Sequence, residues 1–581
     1  MKADTETIRT DILVLGSGVA GARAALAAAD AGLQVTLVTK GEFTRSGATP
    51  IAVFACNAVY PDITPDDSLE SHFEDTVTAG ACLNNQRLVE AYVTEAGDCL
   101  KEIDSWGARF NRVDGKFHQL VQPGHSHARS LHIENRTGAA FSAAFRKEVR
   151  RRANIRIFND TFVTGYLTDP SSRAVIGAAA IELPTMAHLA FSAKAVVDAT
   201  GGGMNLYALC SAPPDCTGDG YAMAYRVGAE LIDMEFVQFY PGLAHPEPHR
   251  GNTGVPWLVR VALEGYFLNS EGDRFMSHYD PVRMEWATRD VLARAIFSEV
   301  RAGRGTPHDG VWFDATHLGP EAIEEKLRPY TGPPRWTYHG VDLLESGLDL
   351  RTTKVETAMV AHYFCGGVRI NERCETGISG LYAAGEVTGG VDGGNRLTGN
   401  ALSEHLVFGA RAGAEAAKRA SEEGFQQPDS AQLERERERV DSIRLAETGR
   451  RPYEILHQIQ ECAWTNLTGV RDGRGLTKAI ETFRSCGREA AGNVRLLHGA
   501  KGNPWELLLA LEVRNLCLVG EMVALSALLR EETRASHMRI EFPDRSPEWL
   551  KNVVIRKKGE EMEASTSPLV LTQGIPEGAP P

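Results

Sequence analysis

The first apolar stretch of the chain is short and does not alternate. Residues 12–15 read Ile-Leu-Val-Leu, the pattern of a strand buried on both faces, and the strand is expected over residues 11–15. It stops at Gly16-Ser17-Gly18-Val19-Ala20-Gly21. An Ala-rich helix follows over residues 22–31, closed by Gly32, and a second strand over residues 34–39. A strand, a glycine turn and a helix in this order make a βαβ unit. The glycines then have separate tasks: a tight turn, close approach of backbone to a pyrophosphate, and close packing of helix on strand. Gly16, Ser17, Gly18, Ala20 and Gly21 are therefore expected at a dinucleotide. The second strand ends in Thr39-Lys40-Gly41, without the acid that usually grips a ribose. This weakens NAD and leaves FAD, with Thr39 and Lys40 beside it.

Two more strand-to-glycine elements lie downstream. Residues 195–203 run from an apolar strand into Ala199-Thr200-Gly201, and residues 380–386 end in Gly385-Glu386. Three such elements in one chain predict an α/β fold with a two-dinucleotide-binding-type FAD domain. The intervening segment is richer in Pro, Trp and His and is expected to be an inserted α+β capping domain. From residue 429 the texture changes to charged, periodic helices at 433–446, 453–465, 475–490 and 504–530, a C-terminal helical domain. The expected divisions are 1–240 and 352–425 for the FAD domain, 241–351 for the cap, 426–545 for the helices and 546–581 for a C-terminal extension. The part from residue 560, rich in Glu, Ser, Pro and Gly, is expected to be a mobile tail.

The chain has 581 residues, too many for one core, and a formal net charge of −14, which argues against a nucleic-acid surface. None of the ten cysteines forms a C-x-x-C pair, so they read as reduced thiols of a cytoplasmic protein, with no metal assigned. Iron–sulfur clusters, if electrons pass through them, belong to a partner polypeptide. The N-terminal ten residues lack an apolar signal core, and no run is long enough to span a bilayer; the best candidate, around 516–529, carries Glu521. Any membrane association then runs through a partner subunit.

Several further motifs stand in a fixed order: Thr44-Arg45-Ser46-Gly47, Cys216-Thr217-Gly218-Asp219-Gly220, Met234-Glu235-Phe236-Val237-Gln238-Phe239, Thr288-Arg289-Asp290, Ala361-His362-Tyr363-Phe364-Cys365-Gly366-Gly367 and Gly394-Asn395-Arg396-Leu397-Thr398-Gly399-Asn400-Ala401-Leu402. Glu512-Val513-Arg514-Asn515 and Glu532-Thr533-Arg534-Ala535-Ser536-His537 follow. Over residues 8–560 the chain resembles the flavoprotein subunits of fumarate reductase and succinate dehydrogenase, with L-aspartate oxidase as a related group. The resemblance implies hydride transfer between flavin N5 and a carbon–carbon bond next to a carboxylate. It implies that Arg289 moves the proton on the other carbon and that His362 and Arg396 grip the carboxylate. It also adds Ser46, Gly47, Ala48, Val163, Asp219, Ala401 and Leu402 to the FAD contacts. A guanidinium is a poor acid in water, so Arg289 needs a site that stabilises its neutral form.

The departures are as informative. Relatives that bind FAD covalently carry His where this chain has Gly47, so the FAD is expected to be non-covalent, a state that favours reduction. At the far end of the substrate, Tyr240 replaces a histidine, Leu258 and Val259 replace a Thr-Glu pair, Phe364 replaces a Thr, and Asp392 replaces a His. Losing these groups makes a second buried carboxylate costly, by about 2–5 kcal/mol per unpaired charge. The expected substrate is a small carboxylate-bearing molecule with an apolar far end. Arg260, His245 or His249 could instead rebuild a far clamp. The acid and arginine that would relay protons to Arg289 are missing at Val259 and Ala262, which leaves Glu264 as the nearest acid in sequence. Two alternatives stay open. One is an L-aspartate oxidase-like enzyme, suggested by Gly124-His125-Ser126-His127-Ala128-Arg129 and weakened by Gln122 where an acid is expected. The other is an electron-relay subunit of a larger iron–sulfur complex.

Overall fold

The computed structural model describes residues 6–134, 136–332, 336–497 and 503–576. Its first strand spans Glu6–Leu15, five residues longer at its start than the apolar run alone suggests. The early half alternates, with Ile8 and Thr10 buried between exposed neighbours; it pairs in parallel with the Ala187–Asp198 strand, Glu6 opposite Leu189. Only the second half is covered on both faces, which is why only that half stands out as a hydrophobic run.

Around this strand lies a seven-stranded sheet. Val35–Val38 and Ile155–Phe158 extend it in parallel on one side. On the other, Ala187–Asp198 pairs antiparallel with Val175–Glu182 through its first half and parallel with Leu381–Ala383 through its last residues. The three glycine turns thus gather at the C-terminal ends of neighbouring strands, where a doubly wound sheet opens its ligand crevice. The Val19–Asp30 and Asn400–Glu422 helices pack against each other on one face of the sheet.

A second, antiparallel sheet orders Val237–Leu243, Val355–Phe364, Val311–Asp314 and Tyr266–Leu268. The expected border at residue 240 falls inside its first strand, so FAD-binding part and cap share one sheet. Helices at Ser430–Arg444, Pro452–Asn466, Gly473–Gly492 and Pro504–Leu529 form the helical region, close to the ranges periodicity predicts. The expected mobile tail is corrected. Lys551–Lys558 and Glu561–Pro568 form a hairpin that pairs with Leu231–Ile232, and residues 570–574 hydrogen-bond to Gln86. The paired backbone is satisfied by a partner strand that sequence composition does not reveal. Among the described residues no helix is long and apolar enough to cross a membrane, all ten cysteines are free, and no cluster of potential metal ligands forms.

Candidate active site

At Gly16 the backbone has φ +98°, and a Cβ there would sit 2.1 Å from the Ala199 carbonyl oxygen. A Cβ on Gly21 would sit 2.0 Å from the Gly16 carbonyl oxygen. The turn is thus pressed against the Ala199 backbone at one point and folded tightly on itself at the other, and only glycine fits. Gly21 serves that packing and does not line the cavity, unlike the other residues of the turn named above. One continuous cavity passes Gly16, Ser17, Gly18 and Ala20, then Thr39, Lys40, Ser46, Gly47, Ala48 and Val163. It continues along Ala199, Thr200, Gly201 and Asp219 to Gly385, Glu386, Ala401 and Leu402, and reaches Tyr240, Arg289, His362 and Arg396. The helices that start at Val19 and Asn400 both open here without a side-chain cap, with Gly18 and Gly399 at the N-cap positions. Their N-termini offer donors and positive partial charge to a pyrophosphate and to a flavin carbonyl. This long, glycine-floored cavity fits FAD. Gly16→Ala is expected to lower the flavin content of purified protein by about tenfold or more, which the ratio of flavin to protein absorbance measures.

Lys40 is held rather than free. Its ammonium donates to Thr217 Oγ1 at 2.6 Å, Glu512 Oε1 at 2.7 Å and Asp219 Oδ2 at 2.8 Å, and Asn515 donates to Asp219 Oδ1 at 2.7 Å. These residues tie the second strand of the FAD sheet to the helical region.

At the other end, the strand carrying Gln238 and Tyr240 pairs with the strand carrying His362. Gln238 stands opposite Tyr363 and Phe239 opposite Ala361, so His362 is the extra residue of a β-bulge. Bulges re-aim side chains, and this one delivers His362 to the cavity. Its Nδ1 lies 2.8 Å from Ser211 Oγ. Burial, then Arg289 and Arg396, push its pKa well below the ordinary histidine range, so the ring is neutral. Arg289 opens the Arg289–Glu299 helix, and Arg396 sits in the turn before the Asn400–Glu422 helix. Gln238 Oε1 accepts from Arg289 Nη1 at 2.6 Å and from Arg396 Nη2 at 3.4 Å, while its Nε2 donates to Asn395 Oδ1 and to the Arg396 carbonyl. Both guanidiniums are nearly buried, and among the described residues neither has a carboxylate within salt-bridge distance. Burial, with Arg396 adding to it, lowers the Arg289 pKa to about 9.

The far wall differs from expectation. It is built of Tyr240, Thr253, Gly254, Trp257, Tyr338 and His339 from the cap side and of Phe54 and Gln122 from the FAD side. Trp257 packs against Phe54 with ring centroids 4.7 Å apart and stacks on Tyr338 at 6.4 Å. Leu258, Val259, Phe364 and Asp392 are buried outside this wall. Leu258 and Val259 turn away because residues 258–262 form a wide turn of π-helix, which leaves Trp257 facing the cavity. Phe364 packs near Tyr221 at 5.5 Å. Asp392 keeps an unpartnered Oδ1, and burial, opposed by Arg396, pushes its carboxyl up to about 6. Glu264 is exposed, 3.8 Å from Lys326. The residues that could have rebuilt a far carboxylate clamp are otherwise occupied. Arg260 donates to the carbonyls of Glu285 and Ala287, His249 bonds to Ser346, and His245 stacks on His308. None of the three lines the cavity. Sequence reasoning missed Gln238 as the link between the arginines, although it lies in a quoted motif, and missed Phe54, Trp257, Tyr338 and His339, which carry no local signal.

Comparison with known proteins places this geometry. A family described as "FAD binding domain" matches residues 11–402, and "Fumarate reductase flavoprotein C-term" matches residues 456–578. The chain is 39% identical over 562 residues to a protein of Methanothermobacter marburgensis named as a fumarate reductase (CoM/CoB) subunit, covering 96% of this chain and 99% of that one. It is 33% identical to an L-aspartate oxidase of Nicotiana tabacum, covering 93% and 83% of the two chains. An E. coli quinol fumarate reductase structure superposes with a TM-score of 0.88 at 28% identity, covering 98% of each chain. The chain belongs to the fumarate reductase/succinate dehydrogenase flavoprotein family of FAD-dependent oxidoreductases.

Proposed function

We propose that this protein moves a hydride to or from the carbon–carbon bond beside a single carboxylate, in a substrate whose far end is apolar. One observation carries the reading: two buried guanidiniums, Arg289 and Arg396, share a neutral Gln238 and have no carboxylate partner among the described residues. Keeping such charges buried without a directly paired carboxylate is costly, and a substrate carboxylate relieves it. FAD, when bound, supplies or accepts the hydride at N5. Arg396 and His362 hold the carboxylate. With Nδ1 of His362 engaged by Ser211, Nε2 is the ring nitrogen left for it. Arg289, depressed to about 9, exchanges the proton on the adjacent carbon. Among the described residues the far wall offers aromatic faces and neutral polar groups and no cation for a second carboxylate. Gln122, in place of an acid, disfavours an ammonium group there and hence an amino-acid substrate.

Gly47 has no nucleophile, so the FAD is held non-covalently, which favours the reductive direction. We further propose that electrons arrive through an iron–sulfur partner subunit, since the chain itself has no C-x-x-C pair, and that the protein works in the cytoplasm, with any membrane link through partners. Titrating the oxidised holoenzyme with two non-reducible acids tests the pocket by flavin difference spectra. 3-Phenylpropanoate is expected to bind about tenfold or more tightly than succinate. Equal or tighter binding of succinate overturns the apolar far end.

A further inference from the structure

A neutral histidine grips a carboxylate only through the ring nitrogen that carries its proton. The other nitrogen presents a lone pair and repels the anion. His362 is neutral, so the place of its one ring proton decides what it can hold. Its Nδ1 lies 2.8 Å from the Ser211 hydroxyl oxygen. Two proton arrangements fit that contact. In the first the hydroxyl donates to Nδ1, and the ring proton sits on Nε2. In the second Nδ1–H donates to the hydroxyl oxygen, and Nε2 is bare.

The surroundings of Ser211 separate the two. In the second arrangement the hydroxyl proton needs another acceptor. Among the described residues the one within reach is the Ala361 carbonyl oxygen, at 3.4 Å. That is outside the usual O–H···O range of about 2.5–3.0 Å. The same oxygen already accepts from the Ser211 N–H at 3.0 Å. Only the first arrangement gives the hydroxyl proton a close acceptor.

The contact is also held in place. At the β-bulge the Ala361 N–H donates to the Leu209 carbonyl at 3.0 Å, so residues 209–211 run beside the strand at the point where it bulges to deliver His362. Asn205 Nδ2 then donates to the Pro213 carbonyl at 2.6 Å, and Asp215 Oδ2 accepts from the Gly47 N–H at 2.7 Å. The His362 ring packs on Tyr240 with centroids 5.4 Å apart. Without Ser211 the cavity would set the tautomer. Arg289 and Arg396 line it and bring only N–H donors, which favour a lone pair on Nε2.

We propose that Ser211 is a positioning residue that donates its hydroxyl proton to Nδ1 and so fixes the His362 ring proton on Nε2, leaving a clamp made of donors only. The inference rests on the function proposed above. Such a clamp matches an ionised carboxylate, which accepts hydrogen bonds and has none to give. It also needs no proton rearrangement when the substrate arrives, which is a gain of preorganisation.

The test reads the ring proton first, without ligand. Holoenzymes carrying histidine with 15N in the ring are recorded by NMR, and the His362 signals are those lost in His362→Gln. Wild type is expected to show a protonated Nε2 and a bare Nδ1. Ser211→Thr keeps a hydroxyl and is expected to keep this pattern; Ser211→Ala is expected to move the proton wholly or partly to Nδ1. Flavin difference spectra then follow binding of 3-phenylpropanoate. It is expected to bind about tenfold more weakly to Ser211→Ala and within about threefold of wild type to Ser211→Thr. A bare Nε2 in wild type overturns the proposal. So does Ser211→Ala with the wild-type affinity, or with weaker binding and the ring proton unmoved, which marks a merely structural role. If wild type binds no 3-phenylpropanoate, the proposed function fails, while the ligand-free spectra still decide whether Ser211 sets the tautomer.

Discussion

Arg289→Gln is expected to leave a yellow holoenzyme whose turnover of enoic acids falls by about 1,000-fold or more. Glutamine preserves much of the arm and a hydrogen-bonding end near Gln238, but it carries no transferable proton and no charge. Both losses fall at the step where charge develops beside the carboxylate, where preorganised donors count most. FAD retention is expected because the glycine turn at Gly16 and the open helix N-termini do not depend on Arg289. The flavin of the variant, like that of wild type, is expected in the supernatant after acid precipitation, since Gly47 offers no atom for a covalent bond. Anaerobic reoxidation rates together with flavin content check both parts. A variant that is yellow and nearly as fast as wild type removes Arg289 from the proton path.

The second large effect concerns stability. Arg530 is fully buried, with Nε 2.6 Å from Glu235 Oε1, Nη1 3.0 Å from Glu532 Oε1 and Nη2 3.4 Å from Asp233 Oδ1. Phe236 lies beneath it at 4.9 Å. Arg530→Met keeps the volume and strands the buried carboxylates of Glu235 and Asp233, while Arg534 stays on Glu532 at 2.7 Å. Burial and then Glu235 already push the Asp233 carboxyl up to about 7 with Arg530 present. Breaking one partner of such a network costs about 3–5 kcal/mol. The damage reaches the site, because Asp233 also accepts from Val553 N and Asn552, and residues 233–236 lead directly into the strand that carries Gln238 and Tyr240. Denaturant unfolding of the holoenzyme, followed by flavin fluorescence and circular dichroism together, measures it. An unchanged midpoint contradicts this account of the network.

How much of this was readable from the chain depends on the range of the forces involved. The nucleotide end was legible because strand, glycine turn and helix are written in consecutive residues: the positive φ at Gly16 favours glycine by itself, and the distant Ala199 carbonyl that presses on it only adds to that demand. Arg289, His362 and Arg396 were legible through motifs, and all three line the cavity. The far wall was not. The family's Thr-Glu pair put Leu258 and Val259 at the substrate, but a π-helical turn changes the helical phase, and Trp257 faces the cavity instead. Phe54 and Trp257 meet across 203 positions of chain, and nothing near either residue announces the other. The C-terminal hairpin was hidden for a similar reason: its polar outer strand is satisfied by backbone pairing, and Leu231–Ile232, which anchors it, lies over 300 residues earlier.

The most direct measurement is anaerobic reoxidation of the reduced wild-type flavin by a panel of crotonate, 2-hexenoate, cinnamate and fumarate at equal concentration. Fumarate belongs on it because a 39%-identical relative is named as part of a fumarate reductase. The proposed arginine–histidine clamp facing an aromatic wall predicts that at least one monocarboxylic enoic acid reoxidises the flavin about tenfold or more faster than fumarate does. Fumarate as the fastest acceptor would contradict it.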